Sequence, residues 1–209
     1  MTPHIQVGSF DLRHGSMARS GGLHLTDILR EIGLKIGVFK AEDLEQDIDT
    51  LIVAQKASEG GCDHLVRVAV GLAWEDWISR QIPGLSYHPG EIVLDGIAMT
   101  PDGIVWTKNS TVVHEFKATW KSMRKPIAEQ WLWWSQLKGY CQGVGTRHGV
   151  LDVLWVNGDY RGSGPQYMAY QVEFSGEELE ANWKMVTRYA AKLDADWLVG
   201  AEGRKENDG

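Results

Sequence analysis

Two cysteines in 209 residues, Cys62 and Cys141, are too few for a disulfide framework, and alone they cannot complete a four-cysteine zinc site or iron–sulfur cluster. Proline is scarce at six residues, and no stretch is rich enough in Pro, Gly or Ser to act as a linker dividing the chain. No apolar run approaches the length that spans a bilayer, and the N-terminal stretch MTPHIQVGSFDLRHGS lacks the apolar core of a signal peptide. The expectation is a soluble, cytoplasmic protein with reduced thiols and no membrane association. Positive charge is also short. The 21 Lys and Arg against 28 Asp and Glu leave a formal charge of −7, which by itself argues against a general nucleic-acid binder with a basic field. There is no internal repeat and no Gly-x-x-x-x-Gly-Lys-Ser/Thr loop, and Gly143-Val144-Gly145 lacks the rest of a dinucleotide fingerprint, so no nucleotide cofactor is expected. The seven His residues show no metal-binding spacing such as His-x-x-x-His.

What is present is ordinary globular composition, 43% hydrophobic and 23% charged, enough for a packed core. The pattern predicts a single domain over residues 1–200: an N-terminal helical part at about 1–64, a core at about 65–175 and a C-terminal helix at about 176–198. A frayed tail covers 201–209. Thr26 is a predicted N-cap for a short helix whose stripe is Leu25, Ile28, Leu29 and Ile32, stopped by Gly33 and Gly37. Further helices are predicted over 42–57 and 65–80. Short Val- and Ile-rich strands follow at 91–98, 103–106 and 111–117. Pro126 opens a predicted helix to about 140, closed by Gly143 and Gly145, and strands at 149–156 and 166–174 precede the last helix. The order implies a mixed sheet with helices packed on it, an α/β architecture. Ten Trp residues include Trp131, Trp133 and Trp134, which span both sides of one helix, so at least one belongs to the core.

The chemistry concentrates at Pro101-Asp102-Gly103 and Glu115-Phe116-Lys117. Side chains alternate along a strand, so Glu115 and Lys117 share a face and Phe116 takes the other. A turn centred on Lys108–Asn109 pairs residues whose numbers sum to 217, which sets Asp102 opposite Glu115. Two carboxylates about 4 Å apart repel by roughly 4 kcal/mol at an effective dielectric near 20. Either one stays protonated or a cation fills the gap, and hard oxygen ligands suit Mg²⁺ or Mn²⁺. Lys117, beside them, is placed to orient or deprotonate a water or to neutralise charge. An E-x-K triplet alone is common on surface hairpins; the in-register Pro-Asp-Gly is what marks this one. Glu75 lies on the 65–80 helix, and Gln136 and Tyr140, four apart, share a helix face. Residues 115–125 carry Lys117, Lys121, Arg124 and Lys125 against Glu115, a local charge of 4 − 1 = +3 suited to phosphate.

The ordered set Gly71…Glu75, Pro101-Asp102-Gly103, Glu115-Phe116-Lys117 and Gln136…Tyr140 resembles the PD-(D/E)XK nuclease superfamily, in its RecB-like and phage lambda exonuclease branch. The likeness covers about residues 65–175 and implies a restriction-endonuclease-like αβββαβ core with a central mixed sheet. It implies that Asp102, Glu115 and the Phe116 carbonyl hold Mg²⁺ or Mn²⁺ with Glu75 completing the site, that Lys117 helps activate water, and that Gln136 and Tyr140 position DNA or support the site. Relatives of the lambda enzyme also carry an early Arg and, seven residues on, a hydroxyl near the 5′-phosphate. Arg19 and Thr26 have that spacing, although Thr stands where Ser is usual. The resemblance therefore implies a metal-dependent deoxyribonuclease. Its first form is a phage-type exonuclease that resects duplex ends for recombination as a homo-oligomer, with a single-strand annealing protein as partner. Alternatives are an endonuclease of the same superfamily and a catalytically silent module that binds DNA or protein. On this reading the net charge loses its force: Glu42, Asp43, Glu45, Asp47 and Asp49 belong to a helix facing away from DNA, and three more acids are part of the metal site.

Overall fold

The computed structural model describes residues 22–38, 63–162 and 164–202. The 42–57 helix with its five acids, Arg19, Cys62 and the tail from 203 lie outside the described residues. The chain enters as a short strand β1 (Leu23–His24) and turns directly into helix α1 (Leu25–Lys35). Helix α2 (Asp63–Ser79) precedes strands β2 (Leu85–Tyr87), β3 (Ile92–Leu94), β4 (Ile97–Met99), β5 (Gly103–Trp106) and β6 (Thr111–Thr119). Helix α3 (Trp131–Val144), strands β7 (His148–Trp155) and β8 (Gln166–Glu173), and helix α4 (Gly176–Glu202) complete the order.

The main sheet runs β2-β5-β6-β7-β8, and β6 and β7 form its parallel pair. Parallel neighbours need a crossover, and α3 is that crossover. The other pairs in this sheet are antiparallel. A small second sheet, β1-β4-β3, combines a parallel and an antiparallel pair. The mixed α/β architecture is thus the one the sequence implies, with helices on both faces of the main sheet. Odd-numbered β6 and β7 residues, Val113, Leu151, Val153 and Trp155, bury themselves with α1, α3 and α4 through Leu25, Ile28, Leu29, Leu137, Trp183 and Val186. On the opposite face α2 lays Trp74 and Ile78 against Phe116. Gly139 lets α1 approach α3, because a Cβ there would meet Leu25 Cδ2 at 2.5 Å.

Several sequence-predicted boundaries move for local reasons. The strand predicted over 91–98 is a hairpin, β3–β4, because Asp95 and Gly96 both take left-handed backbone (φ 51° and 76°), the geometry of a tight two-residue turn. Strands β1 and β2 were too short to read from alternation. Thr26 is not an N-cap: parallel pairing with Ile97 and Ala98 holds Leu23 and His24 extended, so His24 takes the cap position and Thr26 lies inside α1. Pro126 does not open α3. Its ψ of 129° is extended, a single 3₁₀ turn follows at Ile127–Glu129, and the α-helix begins at Trp131. Gly145 ends α3 in left-handed conformation (φ 75°), whereas Gly143 lies inside the helix against Met99. The three Trp of α3 are all partly buried against the core; Trp134 Nε1 donates to the Ile127 carbonyl at 2.8 Å.

One buried polar group on the α2 face ties three strands together. Asp152 on β7 is 1% exposed; its Oδ2 lies 2.8 Å from His114 Nδ1 on β6, and its Oδ1 accepts from the Tyr167 hydroxyl on β8 at 2.6 Å. A carboxylate this deep is tolerated because both oxygens are partnered. Removing it leaves two polar groups without their acceptor. Asp152→Ala is expected to destabilise the fold by about 2–4 kcal/mol and Asp152→Asn by less, read from urea unfolding midpoints at constant m-value.

Candidate active site

Strand β6 outruns its neighbour. β5 pairs with it only from Trp106↔Thr111 to Gly103↔His114, a register in which paired numbers sum to 217 as the sequence predicts. From Glu115 onward β6 has no strand on that side, while β7 continues alongside on the other up to Thr119↔Trp155. An exposed strand edge leaves N–H and C=O groups unpaired. Asp102, the residue before β5, fills the first vacancy: its Oδ2 accepts the Phe116 N–H at 2.7 Å. A strand residue directs its N–H and C=O to the same edge, so the Phe116 carbonyl also faces this open side. The Pro-Asp-Gly break thus sets Asp102 where β5 ends and β6 goes on.

Alternation does the rest. Glu115 and Lys117 share the face toward α3 and are ion-paired through Glu115 Oε1 and Lys117 Nζ, while Phe116 points into the α2 packing. Glu115 is completely buried, and its second oxygen, Oε2, has no hydrogen-bond partner. An orphaned carboxylate oxygen at zero exposure is costly, and it is the feature of this cluster that invites a cation. Burial, then the neighbouring Asp102, hold the Glu115 carboxyl well above its usual range. Glu75 on α2 reaches the same cluster: burial, then Asp102, raise it from 4.5 to about 7, with Lys117 opposing. Burial alone would lower the Lys117 ammonium, but Glu115 and then Asp102 outweigh it and its pKa rises. All three shifts have one origin. Three carboxylates meet one ammonium, so the cluster takes up positive charge from whatever source supplies it.

The donor set, three carboxylates and an edge carbonyl, fits a hard divalent cation such as Mg²⁺ or Mn²⁺. It is not a finished cage. Among the described residues no three His, Cys, Asp or Glu side chains are already arranged to ligate one ion; Asp102 Oδ2 is engaged by the Phe116 N–H and Glu115 Oε1 by Lys117, and Glu115 Oε2 is without a partner.

The helix residues close the site from the α3 side. Gln136 Nε2 donates to the Tyr140 hydroxyl at 2.8 Å, and both side chains are buried. The Tyr140 hydroxyl is raised by burial, then by Glu115 and Asp102, with the side chains of Gln136 and Thr26 opposing. Thr26, on the first turn of α1, lies beside the Tyr140 hydroxyl. Arg19, its sequence-predicted companion, lies outside the described residues. The basic trio is spread along the loop after β6: Lys121 Nζ donates to Gln130 Oε1 at 2.9 Å and sits 5.3 Å from the Trp133 ring, and Arg124 and Lys125 are exposed. Sequence reasoning missed Tyr87 and His88. Tyr87 pairs with Gly103, next to Asp102, and the His88 N–H donates to the Asp102 carbonyl at 3.0 Å. The only signal for them was an aromatic pair ahead of Pro89-Gly90. The His114–Asp152–Tyr167 group was also missed, since residues 38 and 15 apart carry no periodicity.

No family model matches the chain, and no curated protein matches it in sequence. Solved structures do. An alkaline exonuclease from Laribacter hongkongensis (LHK-Exo) is 16% identical with a TM-score of 0.55, covering 90% of this chain and 96% of that one. Its complex with dAMP gives 14% identity and a TM-score of 0.53, over 88% and 94%. A phage-related exonuclease from Haemophilus somnus is more distant, at 12% identity and a TM-score of 0.40 over 82% and 83%. At these identities the likeness defines the fold alone: this chain shares the fold of that alkaline exonuclease. Among the described residues no helix is long and apolar enough to cross a membrane.

The shift of Glu75 gives a signed expectation for the metal-free protein. Between its unfolded value of 4.5 and its folded value of about 7, the unfolded chain has lost a proton that the folded chain keeps. Stability should therefore fall as pH rises through that window and level off above it. Glu75→Gln should remove this part of the slope, and Mg²⁺ or Mn²⁺ should offset the loss above pH 7; thermal unfolding across pH, with and without metal, measures both.

Proposed function

We propose that this protein is a metal-dependent deoxyribonuclease that hydrolyses phosphodiester bonds at the ends of duplex DNA. The observation that carries this reading is the buried, orphaned Glu115 carboxylate, grouped with Asp102, Glu75 and Lys117 at the open edge of β6. A silent module has no use for a group so costly to bury. The likeness in fold to exonucleases supports the same class, as does the ordered set of motifs from Glu75 to Tyr140.

Asp102, Glu115, the Phe116 carbonyl and Glu75 would hold Mg²⁺ or Mn²⁺. When bound, such an ion lowers the pKa of water and neutralises charge on a phosphoryl group. The protein's own groups do the positioning. Lys117, on the same face as Glu115 and one strand residue from the Phe116 carbonyl, would orient water and offset developing charge. Tyr140, fixed by Gln136 and Thr26, walls the cluster on the α3 side and limits water access. Thr26 with Arg19 would seat a terminal 5′-phosphate, and exposed Arg124 and Lys125 would meet the DNA backbone. Self-association around the duplex and cooperation with a strand-annealing protein in recombination belong to the same reading and rest on the family resemblance.

Linear duplexes with 5′-phosphate or 5′-hydroxyl ends, set beside a covalently closed circle, test it. Mg²⁺-dependent loss of the phosphorylated linear duplex with the circle left intact is the expected result. Nicking of the circle would replace the exonuclease by an endonuclease, and indifference to the 5′-phosphate would remove the role of Arg19 and Thr26. Glu115→Gln and Lys117→Ala are each expected to lower the rate by about 100-fold or more, with cooperative unfolding showing that each variant is folded. Undiminished cleavage by both would sink the site.

A further inference from the structure

Strand β2 ends in a turn whose backbone is disfavoured. His88 has φ 47°, in the left-handed region that residues other than Gly seldom adopt. The residue before a proline is also steered toward extended conformation, and His88 precedes Pro89. Two hydrogen-bonding constraints hold the turn. Tyr87 is fixed by pairing with Gly103, and the His88 N–H donates to the Asp102 carbonyl at 3.0 Å. What the conformation achieves is a ring arrangement: the His88 imidazole lies against the Tyr87 ring with centroids 3.8 Å apart and planes 36° from parallel. Both residues are half-buried, so the pair is open on one side. Tyr87 in turn leans on Phe116, centroids 6.4 Å apart, the residue whose N–H anchors Asp102 and whose carbonyl faces the open edge. The field of Glu75 and then Asp102 reaches the Tyr87 hydroxyl, which with burial as the larger cause is raised to about 12, so the ring stays neutral at working pH and borders the carboxylates.

The fold does not require His88: a glycine there would hold the same turn without strain, whereas Tyr87 also packs at the rim of the small hydrophobic group of Trp74, Ile78 and Phe116. Disfavoured backbone beside a reactive cluster is kept where the side chain it presents has work to do. The open side of a ring pair next to a phosphodiester site suits the flat face of a nucleobase, which any sequence supplies.

We propose that Tyr87 and His88 form a stacking platform for the nucleobase adjoining the phosphodiester bond held at the Asp102–Glu115 cluster. This deepens the nuclease reading, yet its test does not need turnover. Equilibrium binding of fluorescein-labelled duplexes with a frayed end is measured in Ca²⁺, with each duplex checked to be uncut at the end. In a matched series one abasic nucleotide is moved stepwise inward from the end. At one position the abasic substitution should weaken binding to the wild type by about tenfold. His88→Gly and Tyr87→Leu should bind the intact duplex that much more weakly and show no further loss at that position. Tyr87→Phe, which keeps the ring, should bind closer to wild type than Tyr87→Leu. His88→Gly should also hold or raise the unfolding midpoint, a gain in stability with a loss in binding that a structural role would not produce. Equal losses on intact and abasic duplexes, or wild-type binding by His88→Gly and Tyr87→Leu, would overturn the platform. If the wild type binds with this abasic signature but never cleaves in Mg²⁺, the nuclease reading fails and the platform stands.

Discussion

Everything in this site depends on one carboxylate, Glu115, placed where water cannot reach it. Ionised and alone at that depth it would be untenable. Lys117 answers one oxygen and leaves the other without a partner. The sheet gives no way out, because Glu115 sits on the strand that both halves of the sheet share, with α3 packed over its face. The deficit is then multiplied: Asp102 is fixed beside it by the Phe116 N–H, and Glu75 comes in from α2. The result is a pocket of excess negative charge inside a hydrophobic frame. Such an arrangement is costly for folding and useful for binding a hard cation against phosphate.

The frame explains why this deficit survives. One face of the main sheet carries a large apolar core built by α1, α3 and α4, and the other a small one under α2. Between them the difference in length of β5 and β6 opens a notch, and the groups of the cluster reach it from several elements. Glu115 and Lys117 come from β6, Asp102 from the approach to β5, Glu75 from α2, and Tyr140 with Gln136 from α3. Thr26 comes from α1. A site assembled from so many elements forms only when the whole domain has folded. Its cost is spread across a structure that holds firmly elsewhere, as at the fully partnered Asp152. Asp152 and Glu115 are two equally buried carboxylates with opposite uses: one has both oxygens satisfied and braces three strands, the other has one left open.

Net charge by itself does not decide what this protein binds. An acidic total suggests avoidance of nucleic acid, but on the proposed reading the acids of the site would hold a cation, and that cation would meet phosphate. The exposed Arg124 and Lys125 lie in the loop that follows β6, close in sequence to Lys117.

Much of this was determined by sequence alone. The spacing from Asp102 to Glu115 about a polar turn was enough to set the register, because a hairpin with a centred turn has only one pairing and the strand period is two. The same period put Glu115 and Lys117 on one face. The mixed sheet followed from the order of helical and extended segments. Only tertiary structure decided the rest. It took the parallel pairing of Leu23 and His24 with β4 to move Thr26 from a cap into contact with Tyr140, and no local pattern contains that partner. The premature end of β5 exposed the edge that Asp102 fills. Full burial of Glu115, with one oxygen unpartnered, is a property of α3 packing over β6. Tyr87 and His88 reached the site through β2, a strand too short to show alternation. Local chemistry names the residues and their faces; which of them share a pocket depends on contacts between distant segments, and those arise only when the chain closes on itself.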